Sequence, residues 1–102
     1  MPKANLPLRI EVPDGAEVYV FGSAAVNLQE ANDIDILVVY SNEFISASEI
    51  YDRIMDMRGA IEARFRLATH VLCLSASEEA EEQAVRRLRC VPFEHWLKKQ
   101  KC

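Results

Sequence analysis

The most restrictive segment of this chain is Ile34-Asp35-Ile36-Leu37-Val38-Val39-Tyr40, a β-branched run that is apolar at nearly every position. A strand with one wet face alternates polar and apolar residues, whereas a strand without alternation has to be covered on both faces. The rest of the chain must therefore supply two apolar layers, which suits helices packed on a small sheet. With 102 residues there is room for one such core, because domains commonly run from about 50 to 250 residues. Residues 1–102 are expected to fold as a single domain.

The flanking sequence supplies those layers. Residues 1–17 hold Pro2, Pro7 and Pro13 and end in Asp14-Gly15, which reads as an extended arm closed by a turn. Leu8, Ile10 and Val12 alternate with polar neighbours, so a short edge strand is expected there, open to pairing with a second copy in a homo-oligomer. Val18-Tyr19-Val20-Phe21 is a brief strand that stops at Gly22-Ser23. A short helix over Ser23 to Leu28 and a polar connector over Gln29 to Asn32 lead into the central run.

Ser46-Ala47-Ser48-Glu49 has the form of a capping box, with Ile45 and Ile50 placed as its hydrophobic staple. Ile50, Ile54, Met57, Ile61 and Phe65 then draw one apolar stripe along a helix of about 20 residues. Gly59 inside it marks either a bend or a close contact. Leu67 to Leu74 reads as a third strand with His70 in its middle. Ser75-Ala76-Ser77-Glu78 is a second capping box, and Ala80, Ala84, Val85 and Leu88 form the stripe of the helix behind it. Glu78, Glu79, Glu81 and Glu82 lie in its first turns, where the helix dipole accounts for them without a metal site. Pro92 ends that helix and opens another, Phe93 to Lys101, with Phe93, Trp96 and Leu97 on one side. An aromatic pair at helical spacing is more often core than interface. The order predicts an α/β (α+β) fold, a small mixed β-sheet with helices packed on it.

Composition excludes several classes of function. A net charge of −4 and a pI near 5.1 argue against a general binder of duplex DNA. Arg53, Arg58, Arg64 and Arg66, with Arg86, Arg87, Arg89, Lys98, Lys99 and Lys101, read as solvated surface. The longest unbroken apolar stretch, Ile36 to Tyr40, is far short of the roughly 20 residues that span a bilayer, so no membrane segment is expected. Met1 to Arg9 has no apolar leader core. Three scattered cysteines, Cys73, Cys90 and Cys102, form no C-x-x-C pair, so the expected setting is reducing and cytoplasmic. Cys73 and Cys90 lie in apolar runs and are expected to be buried.

Chemistry concentrates at two places: Gly22-Ser23 at the end of one strand, and Asp33-Ile34-Asp35 at the start of the next. Strand side chains at i and i+2 share a face, so Asp33 and Asp35 project together while Ile34 points into the core. Two carboxylates so placed repel unless a cation lies between them, and Mg²⁺, held by one or two carboxylates with waters and substrate phosphates, meets that need. Gly22 lets a phosphate approach the backbone, and Ser23 with the following N–H groups can donate to it. Alone, the Asp-x-Asp tripeptide is equally well an acidic strand edge.

Phe21-Gly22-Ser23, nine intervening residues and Asp33-Ile34-Asp35-Ile36-Leu37-Val38-Val39, with a long helix after, form a combination. It resembles the minimal nucleotidyltransferases of the polymerase β superfamily over most of the chain. The resemblance implies that Gly22 and Ser23 bind the nucleotide triphosphate and that Asp33 and Asp35 are catalytic residues and ligands of Mg²⁺. It also implies transfer of a nucleoside monophosphate from an NTP, ATP foremost, to a hydroxyl of a protein or small-molecule acceptor. Small members of the family often pair with a HEPN-type ribonuclease toxin and modify it, so an antitoxin role is the most specific expectation. Two departures stand out. Ala24-Ala25-Val26-Asn27 offers no arginine after the Gly-Ser, and the strand that carries the family's third carboxylate reads Ala68-Thr69-His70-Val71-Leu72-Cys73-Leu74, with His70 the closest match to that place. His70 equally fits a strand histidine satisfied by hydrogen bonds. The alternative is a catalytically silent domain that binds a protein or senses a nucleotide, its partner meeting Phe93, Trp96 and Leu97.

Overall fold

A computed structural model describes residues 10–41, 43 and 45–100. Four strands form one sheet in the order β3-β2-β1-β4: β1 is Ala16–Phe21, β2 Asp33–Tyr40, β3 Ala68–Ser75 and β4 Val91–Pro92. β1 runs antiparallel to both β2 and β4, and β2 runs parallel to β3, so the sheet is mixed. Five helices accompany it: α1 Ser23–Val26, α2 Ala47–Phe65, α3 Ala76–Glu82, α4 Ala84–Arg87 and α5 Phe93–Lys99. This is the α+β arrangement expected from the order of elements, and no helix among the described residues is long and apolar enough to cross a membrane.

β2 is buried on both faces, as its unbroken apolar run requires. Ile34, Ile36 and Val38 join Val18 and Val20 of β1 in the main core, under Ile50, Ile54, Met57 and Ile61 of α2 and Phe93 and Trp96 of α5. Leu37 and Val39 point the other way, into a smaller cluster with Ala84, Tyr19, Phe21, Leu74, Val85 and Leu88. The long parallel crossover between β2 and β3 is α2, and it starts where the capping box places it. Ser46 accepts from the Glu49 N–H while the Glu49 side chain reaches back to the Ser46 N–H. The same reciprocal pair, Ser75 with Glu78, starts α3.

Several expectations need correction. The helix after Ser75 is broken at Gln83, which takes a left-handed conformation (φ 51) and divides it into α3 and α4. Ala80 is consequently exposed, and only Ala84 of the expected stripe is fully buried. The short helix after Gly22 ends at Val26, and Leu28–Glu30 forms a 3₁₀ turn capped by the Asn27 side chain. Pro92 does not simply separate two helices: Val91 and Pro92 pair with Val20 and Tyr19 as a fourth strand, an edge position that a proline tolerates. Gly59 makes no close contact, for a Cβ there would meet nothing within 4 Å. Cys73 is exposed because β3 is a sheet edge, and Cys90 is half-buried. Of the expected strand over Leu8 to Val12, Leu8 and Arg9 lie outside the described residues; Ile10 to Val12 are not in a strand, and Ile10 and Val12 lean on the main core. Phe93 and Trp96 are buried at 1% and 2% exposure, so they are core and not the partner surface of the silent-domain reading.

Candidate active site

The sheet register gathers the singled-out residues at one end of β1, β2 and β3. Phe21 pairs with Asp35 across the antiparallel ladder, and Asp35 pairs with His70 across the parallel one. Gly22 follows Phe21, so it leaves β1 beside Asp35. A Cβ built on Gly22 would lie 2.8 Å from Asp35 Oδ2, so any side chain there would push the Asp35 carboxylate aside. Gly22 also has φ 76 and ψ −157, a backbone region that is essentially restricted to glycine. The conformation at this position demands glycine, and the absent side chain leaves the Asp35 carboxylate where it is.

Asp33 and Asp35 share the face of β2 that Leu37 and Val39 continue, while Ile34 is fully buried beneath the other. The smaller apolar cluster begins only at Leu37, which leaves the two carboxylates at the uncovered end of that face. The Asp33 side chain is 40% exposed, and its Oδ2 lies 3.5 Å from His70 Nε2. Burial, and after it the charge on Asp33, raises the Asp35 carboxyl above its ordinary value of 3.8, while His70 acts in the opposite direction.

The residue before His70 is tied to α2 on the other face of the sheet. Glu62 accepts a 2.9 Å hydrogen bond from the Thr69 backbone N–H, and Thr69 itself is fully buried. A groove of about 520 Å³ runs between α2 and the free edge of β3, lined by Tyr51, Ile54, Met55, Arg58, Val71 and His70 among others. Ser23 opens α1 and is exposed. Gly22, Asp33, Asp35 and His70 are thus brought together, with Ser23 adjoining Gly22. No acid stands on β3 between Ala68 and Leu74, and among the described residues no three His, Cys, Asp or Glu side chains form a ready metal-ligand group.

The sequence profile of the nucleotidyltransferase domain matches residues 8–101. The chain belongs to the nucleotidyltransferase domain family. No curated protein and no solved structure matches it at a significant level. The match spans every strand and helix described above. The chemistry of nucleotidyltransferase domains is nucleotidyl transfer from a nucleoside triphosphate, typically with a divalent metal ion.

One contact had no sequence signal. Trp96 Nε1 donates a 2.8 Å hydrogen bond to the backbone carbonyl of Ala24, 72 residues earlier in the chain. The apolar stripe of the last helix marks Trp96 as core, but nothing local to either residue points to a pairing over that distance.

Proposed function

We propose that this nucleotidyltransferase-family chain is a single minimal domain that moves a nucleoside monophosphate from an NTP, ATP in the first instance, to a hydroxyl on a protein or small-molecule acceptor. The observation that carries the reading is the convergence of Asp33, Asp35 and the Cβ-free approach at Gly22. The donor set suits a hard divalent ion such as Mg²⁺. Asp33 and Asp35 are oxygen ligands on one face, their repulsion is what a cation relieves, and Mg²⁺ needs only one or two carboxylates when waters and phosphates complete its shell. When bound, such an ion supplies positive charge against the α-phosphate and the departing pyrophosphate.

The chain's own residues then have separate tasks. Asp33 and Asp35 hold the ion. Gly22 admits the phosphates to the backbone beside Asp35, and the Ser23 hydroxyl donates to a phosphate oxygen. The acceptor oxygen attacks the α-phosphorus, and the bond from that phosphorus to the bridging oxygen of the β-phosphate breaks, releasing pyrophosphate. On the family resemblance, His70 is the closest match to the place of the third carboxylate; an imidazole adds no negative charge but can take the acceptor's proton. In the antitoxin version of this reading, the acceptor hydroxyl belongs to a HEPN-type ribonuclease partner.

The test is calorimetric titration of the purified protein with ATP, in Mg²⁺ and then in EDTA, alongside the Asp33→Asn/Asp35→Asn double variant. Metal-dependent binding in the wild-type protein alone supports the reading, and absence of binding under both conditions defeats it. A second reading is favoured by one observation, the missing acid on β3: a domain that binds nucleotide without transferring it. It predicts metal-dependent binding with no pyrophosphate release in the presence of candidate acceptors, the HEPN-type partner included.

A further inference from the structure

Helix α1 has four residues, Ser23–Val26, and ends before its own ladder can satisfy its carbonyls. The Asn27 N–H goes to the Ser23 oxygen, and the next carbonyl, that of Ala24, lies in a residue only 1% exposed. Its hydrogen bond comes from the Trp96 indole at 2.8 Å. A buried carbonyl left without a donor is costly, so the backbone around Ala24 would have to move to find another. Ala24 adjoins Ser23 and lies two residues from Gly22, so any such movement is passed directly to the turn beside Asp35.

Trp96 is well anchored for this task. Its ring lies 5.3 Å from that of Phe65 and 5.9 Å from that of Phe93, centroid to centroid. Gln100 Nε2 donates to the Trp96 carbonyl at 2.9 Å. Phe65 is the last residue of α2, and β3 begins three residues later, so one side chain touches both the Ala24 end of the Gly22–Ala24 segment and the end of the crossover that leads to His70. A phenylalanine would fill the same core space; only the indole N–H addresses the Ala24 carbonyl.

We infer that Trp96 is a positioning residue for nucleotide binding, acting through the Ala24 carbonyl to hold Gly22 and Ser23 at their height over Asp35. The inference rests on the nucleotide-binding reading given above. The test compares wild-type protein, Trp96→Phe and Ile50→Val by calorimetric titration with MgATP, at a temperature where circular dichroism shows each fully folded. Trp96→Phe keeps an aromatic ring and loses the N–H, while Ile50→Val trims the core at the far end of α2. Affinity is expected to fall about tenfold in Trp96→Phe, as for loss of a hydrogen bond to a buried group, and to stay unchanged in Ile50→Val. Equal affinity in wild-type protein and Trp96→Phe, or an equal loss in both variants, overturns the inference. Absence of binding by the wild-type protein defeats the nucleotide reading instead. Trp96 is the sole tryptophan, so its emission gives a check without any variant: saturating MgATP is expected to shift it, and unchanged emission at a concentration where calorimetry shows saturation overturns the inference.

Discussion

Gly22 and Asp35 meet across the β1–β2 ladder so closely that a Cβ on Gly22 would stand 2.8 Å from Asp35 Oδ2 and push that carboxylate aside. At φ 76 and ψ −157 the backbone at Gly22 is also closed to L side chains. Gly22→Ala should therefore cost about 1–3 kcal/mol of stability from the backbone conformation alone. It should also weaken MgATP binding by more than that loss explains, because the displaced group is the Asp35 carboxylate. Urea denaturation and calorimetry on the same preparation check both; unchanged binding would remove Gly22 from the site.

Asp35→Asn should separate binding from stability. Burial and Asp33 raise the Asp35 carboxyl above its ordinary value, so the folded protein disfavours its ionised form. A raised folded-state pKa contributes stability that is present below the unfolded value and lost as pH rises through the folded one. At neutral pH the charge is thus a burden to the fold. The Asn variant is expected to melt at the same temperature or higher while losing metal-dependent ATP binding, and a clear drop in melting temperature at pH 7 would contradict this.

The acid limb of MgATP binding should report the same carboxyl. Since Asp35 must be ionised to hold a cation, binding is expected to weaken as pH falls, beginning above the range of a free aspartate. His70→Ala removes a group that lowers Asp35 and should move the limb to higher pH. Affinity measured from pH 4 to pH 8 for wild-type protein and His70→Ala tests the direction; a common limb would place the titration elsewhere.

Gly59→Ala should stabilise the protein. Gly59 lies within α2 at an exposed position, and an added Cβ meets nothing within 4 Å. Alanine in a helix interior is favoured over glycine by roughly 0.5–1 kcal/mol. A chemical-denaturation midpoint that does not rise would indicate that α2 bends at this point in a way that needs glycine.

What could be read in advance follows the range of the forces involved. Helix α2 was legible because its signals are local: the Ser46 and Glu49 capping box, and a stripe in which Ile50, Ile54, Met57 and Ile61 are all buried. The i, i+2 geometry of Asp33 and Asp35 was equally legible, since strand pleating alone puts them on one face. Distant pairing decided the rest. Val91 and Pro92 are a strand only because β1 offers them a free edge. Cys73 sits in an apolar run, yet it is exposed because β3 has a neighbour on one side only. Gln83 breaks a helix that its flanking residues do not forbid, by adopting a left-handed conformation that lets α4 turn Ala84 into the smaller cluster. His70 illustrates both ranges: its place on β3 was legible, but its 3.5 Å approach to Asp33 depends on the parallel register.

The pairing of Phe21 with Asp35 means that the sheet itself is the ruler of the site. The nine residues between Ser23 and Asp33 do not measure the gap between the glycine turn and the carboxylates; the rungs of the ladder do. Gln29 and Glu30 face solvent on that detour, so a dye or tag attached to either would leave that spacing unaltered. Sliding β1 by one rung against β2 would dismantle the site with every one of its side chains still present.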